Sequence, residues 1–480
     1  MNVSPSLTGL LLLLLPAPIL SAQLQFREVR GYTAPTHQKT LYNCRSGDVD
    51  GDGLVDLIYA CDYQGVALYI NDGHGGFPDE TAKRLPPATN YSTYDVAAED
   101  MDGDGDLDLV VANDHVNPNR ILINNGKGVF KDESSTRFPT NGEWTTGLAV
   151  FDVDGDRDLD IFFYNYNQSC YLFLNNGAGK FTKAPWTSLP TINGTYKPSI
   201  ATGDLDFDGD LDLLVEGNTL QVLENDGKGN FRHSKTIAFP ITVRSGPIIR
   251  DLNGDTLMDV WFAGNYKLFL GQAVGGFKDV TATHLPGPTA RYARFVTDVD
   301  LDGDLDLVGP QLLFLNDGQA RFTDVSATRM PQSSSLRTYG LMDDLDGDGD
   351  PDLFDPEYKR IHVNLESQSL APAAPVTGSV FAFEIYKKPG YGTIQHAALP
   401  LLGFQQATIR IPPFGILGIA PAWLYLLPPS VIPAKSGKTT ISIPIPSART
   451  WQGVDLYLQS ATLSPSGKLR LGNLIRETIQ

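Results

Sequence analysis

Apolar runs of four to six residues recur along this chain, each bounded by aspartate, asparagine or glycine, from Leu57-Ile58-Tyr59 to Ile361-His362-Val363. They are rich in Leu, Val, Phe and Tyr and have strand length. No apolar period of 3.6 extends over a helical length. An aspartate cluster runs into one of these stretches seven times. The first reads Asp48-Val49-Asp50-Gly51-Asp52-Gly53-Leu54-Val55-Asp56, and the others open at Asp100, Asp152, Asp204, Asp251, Asp298 and Asp344. The steps between openings are 52, 52, 52, 47, 47 and 46 residues. A near-constant period of that size marks a repeat architecture.

A second signature follows each of the first six clusters. Asn71-Asp72-Gly73-His74-Gly75-Gly76-Phe77, Asn124-Asn125-Gly126-Lys127-Gly128-Val129-Phe130 and Asn175-Asn176-Gly177-Ala178-Gly179-Lys180-Phe181 are hairpin turns that end on phenylalanine, and further copies end at Phe231, Phe277 and Phe322. One repeat is therefore four strands, A to D. The aspartate loop joins A to B, and the Asn-Gly turn joins C to D. A lone four-stranded sheet cannot bury both faces, whereas seven packed around an axis can. The seventh unit ends near Asn364 without a strand D, and Phe26-Arg27-Glu28-Val29 resembles Phe277-Lys278-Asp279-Val280. The expected fold is all-β: a seven-bladed β-propeller over residues 23–365, with residues 25–30 completing the last blade. A linker over 366–378 precedes a Pro-rich unit over 379–480, which reads as a small antiparallel β-sandwich-like domain.

Charge adds the chemistry. The net charge is -19, and 32 of the 56 acidic residues lie inside the seven loops. Such a balance argues against nucleic acid as a partner. Seven divalent ions would bring fourteen positive charges and cancel most of the excess. Counting the first aspartate of each loop as position one, carboxylates stand at positions one, three, five and nine, and position seven would add a backbone oxygen. The sets are Asp48, Asp50, Asp52 and Asp56; Asp100, Asp102, Asp104 and Asp108; Asp152, Asp154, Asp156 and Asp160; Asp204, Asp206, Asp208 and Asp212; Asp251, Asn253, Asp255 and Asp259; Asp298, Asp300, Asp302 and Asp306; Asp344, Asp346, Asp348 and Asp352. Calcium takes six to eight oxygen ligands in flexible geometry, while zinc favours nitrogen and sulfur and magnesium keeps its waters. An EF-hand would need flanking helices and a glutamate at position twelve, and strands follow here instead. Glycine at position six eases the turn as Gly53, Gly105, Gly209, Gly303 and Gly349. Arg157 and Thr256 replace it, and the fifth loop, which also has Asn253, ranks weakest.

The pair of motifs, Asp-x-Asp-x-Asp-Gly-x-x-Asp between strands and then Asn-Asp-Gly-x-Gly-x-Phe, resembles FG-GAP or VCBS repeats over residues 25–365. Such repeats build the propeller of integrin α subunits, secreted cartilage acidic proteins and many exported bacterial proteins. The resemblance implies a seven-bladed propeller with calcium in the A–B loops, held by the carboxylates named above.

The N-terminus reads as a secretory signal peptide over residues 1–22, with the run Leu10–Leu15 too short for a membrane anchor, which takes roughly 20 apolar residues. Secretion or display at the cell surface follows. Cys44 and Cys61 flank the first loop, and a disulfide between them is open either way, since directly opposed strand cysteines are poorly placed for one. Cys170 reads as a small buried residue. Asn90, Asn167 and Asn193 stand in glycosylation sequons.

On the face opposite the metal loops, strand A would begin with Lys197, Arg244, Arg291 and Arg337 on four successive blades, beside Tyr94, Trp144, Tyr196 and Tyr292. This pattern predicts a basic, aromatic half-rim for an anionic protein loop or acidic sugar; local ion pairing and stacking within blades is the competing reading. The histidines share no repeat position, and no Gly-x-Ser-x-Gly, Ser-x-x-Lys, His-Glu-x-x-His or phosphate loop is present. His115 with Asp114 and Arg120 is the one local cluster with catalytic residue types. The sequence thus points to a secreted calcium-binding adhesion module rather than an enzyme. A lyase-like carbohydrate enzyme and a purely structural envelope or matrix component are the alternatives.

Overall fold

Strand B of the first six repeats is buried along its whole length: Asp56–Cys61, Asp108–Asn113 and Asp160–Asn165, for example, expose no residue. A strand buried on both faces needs a sheet packed on each side, and the computed structural model provides it. The described residues are 26–28, most of 41–364, and separate strands between 369 and 478. Residues 1–25, the linker at 371–379, and loop segments such as 190–197, 242–245, 288–291 and 331–339 lie outside them, and with them the signal-peptide reading.

Seven antiparallel sheets follow one another, six in the order A-B-C-D and the first in the order A-B-C. In blade two the strands are Thr93–Glu99, Asp108–Asn113, Arg120–Ile123 and Lys131–Asp132. Blade one has three strands, Leu41–Gly47, Asp56–Cys61 and Gly65–Tyr69, and a lone bridge from Tyr69 to Asp79 stands in for the fourth. Strands A of neighbouring blades touch at six seams, blade seven meeting blade one, and blades five and six share a core of Trp261, Leu268, Leu307 and Phe314, so the array closes on itself. This is a seven-bladed β-propeller.

The alternation of side chains along a strand divides each blade between two neighbours. In blade one, Leu57, Tyr59, Cys61 and Tyr69 pack with Phe354, Ile361 and Val363 of blade seven. Ile58, Ala60, Leu68 and Ile70 pack with Val96, Leu109 and Val111 of blade two. Blade seven takes its fourth strand from the N-terminal end. Phe26–Glu28 pairs antiparallel with Arg360–Asn364, and Phe26 is fully buried against Val299, Leu313 and Leu353.

Four single-turn helices, Thr81–Arg84, Ser134–Arg137, Thr281–His284 and Ser326–Arg329, follow strand D, where no helix was expected. Their signal is local and short: an aspartate two residues before a Ser or Thr. Asp79, Asp132, Asp279 and Asp324 each accept the N–H of that residue at 3.0 Å. Its hydroxyl in turn accepts a backbone N–H of strand C, as Thr81 Oγ1 does from Leu68 at 2.9 Å. A motif one turn long leaves no 3.6 period to detect.

Cys44 stands opposite Tyr59, so Cys61 is its diagonal neighbour, and no disulfide joins the two. Burial pushes the Cys44 thiol well up, with Arg45 opposing. Cys170, expected to be buried, is half-buried against the core between blades three and four. Beyond the ring, Val380–Tyr386 and Lys438–Pro444 pair in one antiparallel sheet, and His396–Gly403 and Asp455–Leu463 pair in another.

Candidate metal centre

The aspartates of one loop do different work. Position one closes the loop on itself: Gly51 N–H donates to Asp48 Oδ1 and Gly53 N–H to Asp48 Oδ2, both at 2.8 Å. Asp100, Asp152 and Asp251 repeat this pattern. The fold needs left-handed backbone at positions four and six to aim those N–H groups. Gly51 and Gly53 supply φ of 76° and 91°. Non-glycine residues take the same strain elsewhere: Arg157 and Thr256 at position six (φ 76° and 73°), Phe207 and Leu301 at position four (φ 65° and 55°). The demand at position four was not read from the sequence.

Position five accepts the N–H of position seven, as Asp52 does from Leu54 at 2.8 Å. Position nine was expected as a plain ligand. It also bolts the blade: Asp56 is buried, and accepts Val49 N–H at Oδ2 (3.0 Å) and Asn71 N–H at Oδ1 (2.8 Å). Asp108, Asp160, Asp212, Asp259, Asp306 and Asp352 do likewise. Burial pushes the Asp56 and Asp306 carboxyls up to about 8, although the backbone donors pull the other way. It pushes Asp108, Asp160 and Asp212 to about 7 and Asp259 to about 6.

In loops one to four, positions one, three and nine offer oxygens all within 4.8 Å of one another: Asp48, Asp50 and Asp56; Asp100, Asp102 and Asp108; Asp152, Asp154 and Asp160; Asp204, Asp206 and Asp212. In loop six the group is Asp298, Asp300 and Asp302. Three carboxylates at that separation repel strongly without a cation. Asp206 shows it, pushed up to about 6 by burial and then by Asp208. The buried Oδ1 atoms of Asp50, Asp102, Asp154 and Asp204 have no hydrogen-bond partner. Buried carboxylate oxygens in this condition fit a hard cation. In loop five, Asn253 Nδ2 donates to Asp255 Oδ2 at 3.0 Å, so a donor sits where the other loops hold an acceptor. Asp348 of loop seven lies outside the described residues.

The loops are also bonded to each other, which spacing did not reveal. Asn124 of the blade-two turn donates Nδ2 to Val49 O of the blade-one loop at 2.7 Å and to Leu107 O of its own at 3.0 Å. Asn71, Asn175, Asn225, Asn316 and Asn364 reach the preceding loop in the same way. At the seam between blades four and five the place is held by Gly271, whose Cβ would strike Met258 O at 2.7 Å and Phe207 Cζ at 2.9 Å. Phe207, Phe277 and Phe239 fill that seam instead.

On the other face, Lys197, Arg244, Arg291, Arg337 and Tyr196 lie outside the described residues. Tyr94 does not present a surface to a partner. It is only 7% exposed and stacks on Tyr42 at 4.6 Å. Trp144 stands edge-on to Tyr166, and Tyr292 is 48% exposed. Of the histidine cluster, His115 lies outside, and Arg120 turns to Asp132 (2.9 Å) and the Tyr91 ring, which makes it structural.

Repeats of this geometry define a propeller of acidic, metal-ready A–B loops. The chain is an FG-GAP repeat propeller protein, and the FG-GAP-like repeat family matches residues 48–111, 100–163, 152–215 and 251–309. Cartilage acidic protein 1 of Mus musculus is 25% identical over 58% of this chain and 51% of its own length. That of Xenopus tropicalis is 25% identical over 54% and 47%. The chain thus spans about half the length of these relatives. A crystal structure of BBS1N in complex with ARL6DN superposes at a TM-score of 0.42 and 12% identity, covering 71% of this chain and 98% of that one, a likeness too loose to bear on function. Among the described residues no helix is long and apolar enough to cross a membrane.

Proposed function

We propose that this chain is a secreted, calcium-stabilised propeller that serves as a binding module for an extracellular protein or glycan. The observation that carries the metal half is the set of buried, partnerless Oδ1 atoms on Asp50, Asp102 and Asp154, each within its cluster of carboxylates. Positions one, three and nine would hold the ion, and position five stands ready as a further oxygen. Calcium supplies charge neutralisation there, not chemistry on a substrate. Position one shapes the loop, position three offers its remaining oxygen, and position nine bolts the loop to the C–D turn. The relatives' name, cartilage acidic protein, supports an extracellular matrix setting and names no reaction.

The binding half rests on the sequence pattern alone, which sets a basic residue a few positions ahead of strand A in four successive blades. A cationic half-rim of Lys197, Arg244, Arg291 and Arg337 would favour an anionic partner. A glycan and matrix-protein array probed in calcium and in chelator tests this reading. Calcium-dependent capture of acidic ligands that falls on joint alanine substitution of Arg244, Arg291 and Arg337, with melting unchanged, supports it. Capture indifferent to those substitutions removes the half-rim.

A further inference from the structure

Arg84 ends the short helix after the Tyr69–Asp79 bridge of blade one, and its guanidinium is spent in three directions. Nε pairs with Glu80, Nη2 holds Asp50 Oδ2 at 3.0 Å, and Nη1 donates to Lys127 O in the blade-two turn at 2.6 Å. Arg137 repeats the arrangement one blade on, with Glu133 at 2.7 Å, Asp102 Oδ2 at 3.1 Å and Ala178 O at 2.7 Å. The backbone carbonyls join in: Phe130 N–H donates to Arg84 O and Phe181 N–H to Arg137 O, both at 2.8 Å. These side chains are largely shielded, Arg84 being 13% and Asp50 15% exposed. In both blades the guanidinium takes one oxygen of the position-three aspartate, and the other oxygen is the buried, partnerless Oδ1.

Blade five varies the theme at three places together. Position three is Asn253 rather than aspartate, the helix ends in His284 rather than arginine, and the next turn has Ala320 where Gly128 and Gly179 stand. A Cβ on Gly128 or Gly179 would collide with the guanidinium, so an alanine fits only where the arginine is gone. The three residue choices therefore behave as one unit.

We propose that Arg84 and Arg137 are positioning residues for the ion sites of loops one and two, each fixing its position-three carboxylate and tying occupancy of that loop to the seam with the following blade. The inference rests on the calcium reading above. A guanidinium has a rigid fork of donors, so engaging Nε, Nη1 and Nη2 at once locks both its own plane and the carboxylate rotamer, which an ammonium cannot do. Glu80 and Glu133 balance the positive charge, so the arginine orients the carboxylate without repelling an ion on net.

Hydrogen exchange of the full chain at rising calcium tests this, read at residues 48–56, 124–130 and 152–160. In the wild type, calcium should protect 48–56 and 124–130 together. Arg84→Ala should move the calcium midpoint at 48–56 upward by about 10-fold or more, the usual cost of losing such an outer partner. It should also uncouple 124–130 and leave 152–160 unmoved. Arg84→Lys, which keeps the charge and loses the fork, should stay weak. A midpoint that is unchanged or lower in Arg84→Ala, as simple relief of charge repulsion requires, overturns the proposal while the calcium reading stands. If the wild type gains no protection from calcium, both fall. Should Arg84→Ala fail to fold, Glu80→Gln decides through its looser guanidinium: a raised midpoint at 48–56 supports the role, and an unmoved one rejects it.

Discussion

Replacing Asn124 with alanine removes one side chain that serves two blades. Its amide donates to Val49 O across the seam and to Leu107 O within the blade, and its Oδ1 accepts Asn125 N–H at 2.8 Å. Alanine leaves two buried carbonyls without those donors. Each such loss costs about 1–3 kcal/mol, so Asn124→Ala should cost about 2–4 kcal/mol, taking the lower half because a carbonyl keeps partial alternatives. For a ring of about 340 residues the unfolding entropy is roughly 0.7 kcal/mol per degree, and the melting point should fall by about 3–6 °C. Calorimetry in saturating calcium reads this, with Lys127→Ala in the same exposed turn as the control, since it disturbs no backbone partner. Hydrogen exchange should rise at 48–56 and 124–130 before the rest of the ring. A drop no larger than the Lys127→Ala control would refute the idea that these amides stitch the blades. At the odd seam the substitution runs the other way. Gly271→Asn should destabilise rather than add a missing stitch, because its Cβ meets the fixed Met258 O.

Three further outcomes follow from the geometry. Phe26→Ala empties a fully buried site in the strand that closes blade seven and should cost about 3–5 kcal/mol, seen as a lower unfolding midpoint and faster proteolysis at the closure. Thr256→Gly relieves a β-branched residue at φ 73° on an exposed turn and should stabilise by roughly 0.5–1 kcal/mol after the extra chain entropy of glycine; a loss of stability would reject the strain. In metal-stripped protein the position-nine carboxyls, raised by burial to about 8 for Asp56 and about 7 for Asp108, take up protons on folding. Their stabilisation is complete below the ordinary carboxylate range of about 4 and is lost as pH rises through 6 to 8. The melting point without metal should therefore fall from pH 5 to pH 8, and calcium should suppress the fall; a flat or rising profile in metal-free buffer contradicts the assignment.

Much of this molecule could be read along the chain, for a physical reason. A propeller repeats one supersecondary unit, so aspartate spacing, turn chemistry and strand length recur in register and reinforce each other. The missing strand of blade seven was visible because Phe26-Arg27-Glu28 carries the pattern of a strand D. Contacts between repeats were not visible. Asn71 and Asn124 looked like turn residues, and their reach into the preceding loop depends on how blades stack. Arg84 and Arg137 are too sparse to show a period, and their partners lie more than 30 residues away. Position nine looked like a ligand and nothing more, because spacing does not show that the same carboxylate also accepts two backbone N–H groups. Tyr94 looked available because strand alternation does not say which neighbour, here Tyr42, covers a ring.

On this reading divalent ions pin the A–B loops and so hold the ring. Four occupied sites, each at calcium one hundred times its dissociation constant, would add about 11 kcal/mol, which for a ring of this size is roughly 15 °C in melting point. The direct test is bound calcium per chain by equilibrium dialysis, followed by melting of the same sample with and without chelator. At least four ions should be bound per chain, matching the tight groups of loops one to four, and chelation should lower the melting point strongly. A chain that retains no calcium and melts at the same temperature in both conditions would contradict it.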